Sequence, residues 1–491
     1  MKKSVNKKKK NNKNSKKIIN NKINIILSSI LLLFTIIGIY MLFRLNVLNN
    51  VYCVLIGIVL LIVNFILFYF KNKITNIIKG VLIVIFGLLI YYIGITFNFI
   101  DVIQERLYYT ESYYIVVNSD SNINSIDDLN NKNVGTYVEN FDVYKDMINE
   151  YNLRVNSNLI DYDQVDLMSY NLKHNSIDGM IISGVHKRFL EEEKKDFLDN
   201  TKVLDQIDLK VKRNNVVKHS DIDVRKETFN VLILGSDSRG SISSRSNNDV
   251  DIVMTVNPYT REIMLTSFPR DSYVYIYGNE SCKDKLTHAG YYGNDVSVKT
   301  FERLLNTSID YYVKIGFSTV INLVDSIDGV EIFSDQAFNS YHIKGWKVPY
   351  GNIHMNGKQA LAFARERYAY STGDIHRCQN QQDVIKAIVN KFVSNPKYLL
   401  KYSSILNSIS DTMETNIDMK VIGDLVKLQR SDNKNWTIKT TIISGYGSMG
   451  KTYSYPRQDL WIYIVNENSL NKAGNVIKGM KEGKSFNDLG V

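Results

Sequence analysis

The residues with chemical capacity in this chain are carboxylates and arginines placed where strands end. Phe229–Leu234 (FNVLIL) reads as an apolar strand running into Gly235-Ser236-Asp237-Ser238-Arg239-Gly240. Asp251–Val256 reads as a second strand with Asp249 just before it, and Glu262–Phe268 as a third, ending at Pro269-Arg270-Asp271. In an open α/β sheet, ligands sit beyond the carboxyl ends of strands. That rule brings Asp237 and Arg270 to a common site; the reach of Asp249, at the start of its strand, is less direct. Asn356–Arg367 (NGKQALAFARER) reads as a helix with Ala360, Leu361 and Ala364 on its buried face. Arg365 and Arg367 lie roughly 200° apart on an ideal helix. They can share a ligand only where the helix ends, and Tyr370-Ser371-Thr372-Gly373 marks such an end. Asp374, Arg377 and Gln381 follow, the last two four apart and so on one helical face. Two carboxylates suit a hard divalent ion, such as magnesium, that keeps its waters and bridges phosphate oxygens. Several arginines suit planar, bidentate phosphate recognition. Together they predict a site for a diphosphate whose leaving charge must be neutralised, although each residue taken singly also suits a solvated surface charge.

Other chemistries find no pattern. The Gly235/Gly240 spacing lacks the Lys-Ser/Thr of a phosphate loop. His-Glu-x-x-His is absent, and Tyr446 stands where a nucleophile elbow around Ser448 needs glycine. Three cysteines in 491 residues exclude a disulfide-dense scaffold. The net charge of +10 points toward nucleic acid until its location is read. Ten lysines and no acid fall within residues 1–22, and the remainder carries 50 basic against 50 acidic residues. The excess describes a tail and not a binding face, so no nucleic-acid partner is expected.

The elements that must position this chemistry begin in a membrane. Apolar runs cover Ile25–Phe43, Val51–Phe70 (broken by Asn64) and Gly80 to about Ile100. Each has the ~20 residues needed to cross a ~30 Å hydrocarbon core. The tail has ten lysines, the 44–50 loop only Arg44, and the 71–79 loop Lys71, Lys73 and Lys79. The positive-inside rule then places residues 1–24 and 71–79 in the cytoplasm and everything after Asp101 outside. The expected organisation is a cytoplasmic tail (1–24), three transmembrane helices (25–100) and an accessory extracellular α/β domain (101–212). A polar linker (213–228), a catalytic core (229–395) and a C-terminal part completing it (396–491) follow.

In the accessory region, Tyr113–Asn118, Val134–Thr136 and Gly179–Ser183 read as strands between helical segments Ser125–Leu129, Asp142–Tyr151 and Asp166–Asn175. Its strings SIDDLNNKNVGTY and HNSIDGMIIS loosely resemble one lobe of an extracellular solute-binding protein. Such a lobe serves as a ligand sensor, a polymer guide or a spacer.

Five blocks resemble the LytR-CpsA-Psr family of cell-envelope enzymes: VLILGSDSRG, NDVDIVMTVNPYTREIMLTSFPRDSYV, KLTHAGYYG, IDYYVKIGFSTVINLVDSIDGVEIF and MNGKQALAFARERYAYSTGDIHRCQNQQDVIKAI. They occur in the family's order over about Phe229–Lys391. The three-span anchor with an extra lobe is similar to the capsule-associated (CpsA-like) branch. The resemblance implies a magnesium-dependent phosphotransferase in the cell membrane. It would move a glycopolymer, capsular or teichoic-acid-like, from a polyprenyl-pyrophosphate carrier to peptidoglycan. It also implies an αβα-layered domain around a central mixed sheet, with the lipid tail lying between sheet and helices. Val320, Leu323, Val324 and Ile327, at helical spacing, would line one wall, although ordinary core packing suits each of them better when taken singly.

By motif, Asp237 and Asp249 match the family's magnesium aspartates. Arg270 matches a pyrophosphate-binding arginine with a catalytic role. Arg365, Arg367, Arg377 and Gln381 match the late pyrophosphate-binding cluster, and Arg239 lies near it. The family usually has arginine two residues before the second aspartate; here that residue is Asn247, with Arg245 two further upstream. Arg245 either reaches in from a longer loop or a phosphate contact is missing. Asp374 is a candidate base by position. The competing readings are a polyprenyl-diphosphate hydrolase using the same site, a ligand sensor acting through the lobe, and a transcriptional attenuator, which the topology opposes. Cys282 and Cys378 also fall near these blocks, and pairing would need Cα atoms within ~7 Å.

Overall fold

The computed structural model describes residues 2–45, 50–104, 108–137, 141–193, 195–212, 221–236, 245–395, 412–432, 434–456 and 458–491, with 397, 398, 401, 405, 408 and 409 between them. Asp237 and Arg239 lie outside the described residues.

Three helices open the chain: α1 (Lys2–Leu45), α2 (Asn50–Tyr69) and α3 (Lys73–Gln104). Within them Asn20–Arg44, Asn50–Tyr69 and Lys73–Gly94 are long and apolar enough to cross a membrane. Most of their large apolar side chains are exposed, as hydrocarbon-facing residues must be. Two expectations shift here. The lysine tail continues α1 as helix instead of preceding it. Lys73 and Lys79 belong to α3 and not to a loop, and Lys79 is fully buried, donating to Asn24 Oδ1. A lysine in that position needs a polar partner, since its charge is costly away from water.

The accessory lobe is a five-stranded sheet in the order β3-β2-β4-β1-β5. Its strands are β1 (Tyr108–Asn118), β2 (Asn133–Tyr137), β3 (Asn158–Tyr162), β4 (Gly179–Ser183) and β5 (Thr201–Lys212). β2, β3 and β4 run parallel, while β1 is antiparallel to both β4 and β5. Alternation along β1 sends Val116 to one face and Ile115 and Val117 to the other. Helix α4 (Phe141–Asn152) covers the second face with Val143, Met147 and Tyr151. Helix α5 (Val165–Lys173) and helix α6 (Gly184–Glu193) cover the first with Val165, Met168, Leu172 and Leu190. Helix α7 (Lys195–Asn200) leads into β5.

The second domain is built on a six-stranded mixed sheet, β16-β11-β6-β7-β8-β17. Here β6 is Phe229–Gly235, β7 Val250–Asn257 and β8 Glu262–Phe268. A side hairpin of β9 (Tyr273–Ile276) and β10 (Asn279–Lys285) leads to α8 (Ala289–Tyr292) and α9 (Asn294–Leu305). Then come β11 (Tyr311–Ile315), α10 (Phe317–Ser326), β12 (Val330–Ser334), the short pair β13 (Phe338–Asn339) and β14 (Lys347–Val348), and β15 (Gly351–Met355). Helices α11 (Gly357–Arg365) and α12 (Asp374–Ser394) precede β16 (Met413–Thr415) and α13 (Met419–Asp432). The chain ends with β17 (Thr437–Ile442), β18 (Gly445–Gly450), β19 (Leu460–Val465), α14 (Glu467–Lys481) and α15 (Phe486–Leu489).

One sheet face packs on Val298, Phe301 and Leu305 of α9 and on Ala473 and Ile477 of α14. The other packs on Ile385 and Val389 of α12 and on Val421 of α13, which gives an αβα sandwich. β17 adds an edge by pairing parallel with β8, whereas β19 pairs with β18 and not with β17.

The lobe and the sandwich touch. Tyr291, Tyr455 and Leu460 of the sandwich are buried in the same apolar cluster as Met180, Ile182 and Leu190 of the lobe. Glu111 on β1 is buried, and Arg245 Nε approaches its carboxylate at 4.0 Å.

Candidate active site

The sheet topology brings the chemistry together. β7 is antiparallel to β6, with Gly235 opposite Val250, and β8 is antiparallel to β7, with Phe268 opposite Asp251. The start of β7 therefore lies at the same edge as the ends of β6 and β8. This is why Asp249 reaches the site although it precedes its strand. Backbone bonds then join the loops: Asp249 N donates to Gly235 O at 2.7 Å, Asn248 N to Thr287 O at 3.1 Å, and Thr287 N to Arg270 O at 2.9 Å. Gly290 lets α8 pass beneath this loop, because a Cβ there would sit 2.2 Å from Ser246 O and 2.5 Å from Asn248 Oδ1.

At this edge lies a cavity of about 370 Å³. Asp249, Arg270, Arg365, Arg367, Arg377 and Gln381 line its polar side. Its other wall is apolar, from Ile233, Val250 and Ile315 on the sheet and Val320, Leu361 and Val384 on the helices. Of the four residues at helical spacing considered for that wall, only Val320 lines it. Val324 and Ile327 are fully buried in a separate core cluster with Met355 and Phe363, and Leu323 packs against that cluster. A single helix face can serve a cavity at one end and core at the other, and periodicity does not mark where one gives way.

The arginines are held individually. Arg270 Nη1 donates to Asp249 Oδ1. α11 ends at Arg365, and Glu366 adopts an extended conformation, so the chain turns and Arg367 follows Arg365 into the cavity. Glu366, fully buried, fixes that turn by accepting from four backbone N–H groups, those of Tyr341, Arg367, Tyr368 and Ala369. The Arg365 guanidinium stacks 4.2 Å over the Phe317 ring. Asp374 Oδ2 accepts from Arg377 Nη2 at 2.9 Å, and Asp374 Oδ1 is 3.8 Å from Arg367 Nη1. Asp374 thus contacts two guanidiniums at once. The buried Nε of Arg377, which lines the cavity, has no hydrogen-bond partner among the described residues.

Arg245 does not line the cavity. Its guanidinium approaches Glu111 of the lobe. Cys282 and Cys378 are both free. Cys378 is buried in the interior, which pushes its thiol up to about 12.

Three participants were not visible in the sequence. Tyr341 and His342, from an aperiodic segment, line the cavity beside Arg365. His342 Nε2 bonds the Arg365 carbonyl at 3.0 Å. Burial, the main cause, and the neighbouring arginines lower its pKa, against the opposing pull of that carbonyl and of Glu366. Asp251 on β7 is 1% exposed, and neither of its oxygens has a hydrogen-bond partner among the described residues. Burial and then the adjacent negative charge of Asp249 push its pKa well above the usual carboxylate range, while Arg270, Lys314 and Arg377 oppose them.

This donor set fits a hard divalent cation. Two carboxylates, Asp249 and the orphaned Asp251, lie close enough to repel, which is the arrangement a cation relieves. Among the described residues no three ligating side chains converge. Magnesium takes one or two carboxylates and completes its shell with water and phosphate.

A family model described as LytR_cpsA_psr matches residues 195–475. The polyisoprenyl-teichoic acid–peptidoglycan teichoic acid transferase TagU of Oceanobacillus iheyensis is 32% identical over 261 residues, 52% of this chain and 76% of the relative. The TagU of Bacillus cereus is 33% identical over 287 residues, 57% of this chain and 89% of the relative. The crystal structure of TagV from B. subtilis is 23% identical, covering 53% of this chain and 100% of that one at a TM-score of 0.45. With more than half its length matched by the family model, this chain belongs to the LytR-CpsA-Psr family.

Proposed function

We infer that this protein is a membrane-anchored, extracytoplasmic phosphotransferase that attaches an anionic glycopolymer from a polyprenyl-pyrophosphate carrier to peptidoglycan. The observation that carries this reading is the two-sided cavity. Arginines, Gln381 and a carboxylate form one wall and aliphatic side chains the other, complementary to a diphosphate joined to a polyprenyl chain. The relatives named for teichoic acid transfer to peptidoglycan supply the acceptor and the polymer class. The ten lysines before the first span favour a cytoplasmic N-terminus and an outward catalytic domain.

In this reading Arg365, Arg367 and Arg377 bind the diphosphate oxygens, Arg377 through the Nε–H that has no partner among the described residues. Gln381 adds an amide donor one turn away. Arg270 stabilises charge at the transferring phosphoryl group, and Asp374 keeps Arg367 and Arg377 oriented. The apolar wall holds the first part of the lipid and excludes water. Asp249, with Asp237 contributed from the neighbouring loop, would hold magnesium, which supplies neutralisation of diphosphate charge.

The test incubates the purified full-length chain with a labelled polyprenyl-pyrophosphate glycopolymer, magnesium and peptidoglycan fragments. Label transferred covalently to peptidoglycan, with polyprenyl phosphate released, is the expected result. Label released only as free polymer phosphate would replace transfer with hydrolysis.

A further inference from the structure

Any transfer of this kind requires a group that takes the acceptor's proton; of the described carboxylates nearby, Asp251 is buried without lining the cavity and the others are engaged elsewhere. Asp249 accepts from Arg270, Asp374 is held by Arg377 and Arg367, and Glu366 is saturated by four backbone N–H groups. His342 differs. The carbonyl of Arg365 can only accept, so the bond at Nε2 fixes the proton on that nitrogen. Nδ1 is then the nitrogen with the basic lone pair, and no other described residue bonds to it. This is how a base histidine is set elsewhere: one nitrogen anchored, the other presented. The ring is half-buried and lines the cavity beside the arginines that face a diphosphate.

We propose that His342 is the proton acceptor of the transfer reaction. The proposal rests on the phosphotransferase reading above. The acceptor sugar hydroxyl oxygen forms a bond to the phosphorus that carries the glycopolymer. The bond from that phosphorus to the bridging oxygen breaks, and polyprenyl phosphate leaves with the electron pair. The hydroxyl proton passes to His342 Nδ1 and from there to solvent.

The charged groups around the ring favour the neutral form that a base requires. Arg365 and Arg367 disfavour the imidazolium, Glu366 favours it, and burial outweighs both. Arg377 from α12, and Arg270 and Asp249 from the sheet edge, line the same cavity. The imidazole is therefore neutral at neutral pH, and it charges only below the ordinary histidine range of about 6.5.

The experiment measures transfer by full-length wild type, H342Q and H342A across pH, with donor KM and kcat resolved. Glutamine keeps an N–H for the Arg365 carbonyl but has no basic lone pair. H342Q should lose about 10²- to 10⁴-fold in kcat with donor KM little changed. The acidic limb of the wild-type profile, falling below about pH 6.5, should disappear in H342Q. Added imidazole should restore part of the H342A rate. H342Q turning over at the wild-type rate, or keeping the acidic limb, would overturn the assignment. A loss confined to KM would reduce His342 to a structural prop for Arg365 and would overturn it equally. Should the wild type release polymer phosphate to water, the acceptor reading fails. The same loss of rate and of the acidic limb in H342Q would still uphold His342, because water must give up its proton to the same group.

Discussion

The guanidinium of Arg270 donates a charge-assisted hydrogen bond to the carboxylate of Asp249, although the two residues leave different strands and are 21 positions apart. The pairing is a direct result of two successive antiparallel strands, which return the end of β8 to the start of β7. Each partner also orients the other toward the cavity before substrate arrives. Replacing Asp249 with alanine should leave the fold intact and lower transfer by about 10²- to 10³-fold, or ~2.7–4 kcal/mol of transition-state stabilisation. Arg270→Lys should fare little better, because lysine keeps the charge but not the planar fork. Transfer assays, with thermal unfolding in rising magnesium as a second readout, check both. Magnesium stabilising Asp249→Ala as strongly as the wild type would remove Asp249 from the metal site.

Glu366 makes the bend on which the arginine pair depends. Glu366→Gln exchanges an acceptor oxygen for an amide that donates, leaving buried N–H groups unpaired at about 1–3 kcal/mol. The expected outcome is a lower melting temperature and a raised donor KM, since Arg365 and Arg367 would no longer be held at one cavity. Parallel calorimetry and steady-state kinetics separate the two effects.

Gly290→Ala tests the close approach under the 246–249 loop. The added methyl would overlap Ser246 O and the Asn248 side chain, and overpacking of this kind typically costs about 1–3 kcal/mol. The loop carrying Asp249 must shift, so magnesium-dependent stabilisation and transfer should fall together. Unchanged magnesium dependence would show that the loop absorbs the methyl without moving its carboxylate.

Asp383 gives a pH prediction independent of catalysis. Burial, helped by Asp335 and opposed by Lys386, pushes its carboxyl up to about 6. The folded chain therefore holds this proton through a window in which the unfolded chain, titrating near ~3.9, has released it. The group's contribution to stability falls as pH rises from about 4 to about 6. Asp383→Asn should melt higher than wild type at pH 7, and the difference should shrink toward pH 4. Equal melting temperatures at both pH values would contradict this.

Local pattern made the strands β6 and β8, the α11 and α12 helices and the Arg377/Gln381 face legible, because each depends on neighbours in sequence. Asp249 was legible as a residue type, but its reach depends on strand direction, which hydropathy does not encode. The contact of Arg245 with Glu111 is hidden from local pattern for a related reason: the two belong to different domains. Asp251 looks like one polar residue in a strand, and only the tertiary packing reveals two oxygens without partners among the described residues. His342 sits in an aperiodic stretch with no motif, and its chemistry comes from a contact with the end of α11. Val324 and Ile327 show the converse, since helical spacing identified a buried face without saying what buries it.

Glu111 and Tyr291 seat the lobe on the segments that flank Asp249. Pulling the lobe off the sandwich would therefore expose Tyr291, Tyr455 and Leu460 to water and part the Glu111 carboxylate from Arg245. The lobe is thus a lid on apolar surface that the sandwich does not cover by itself.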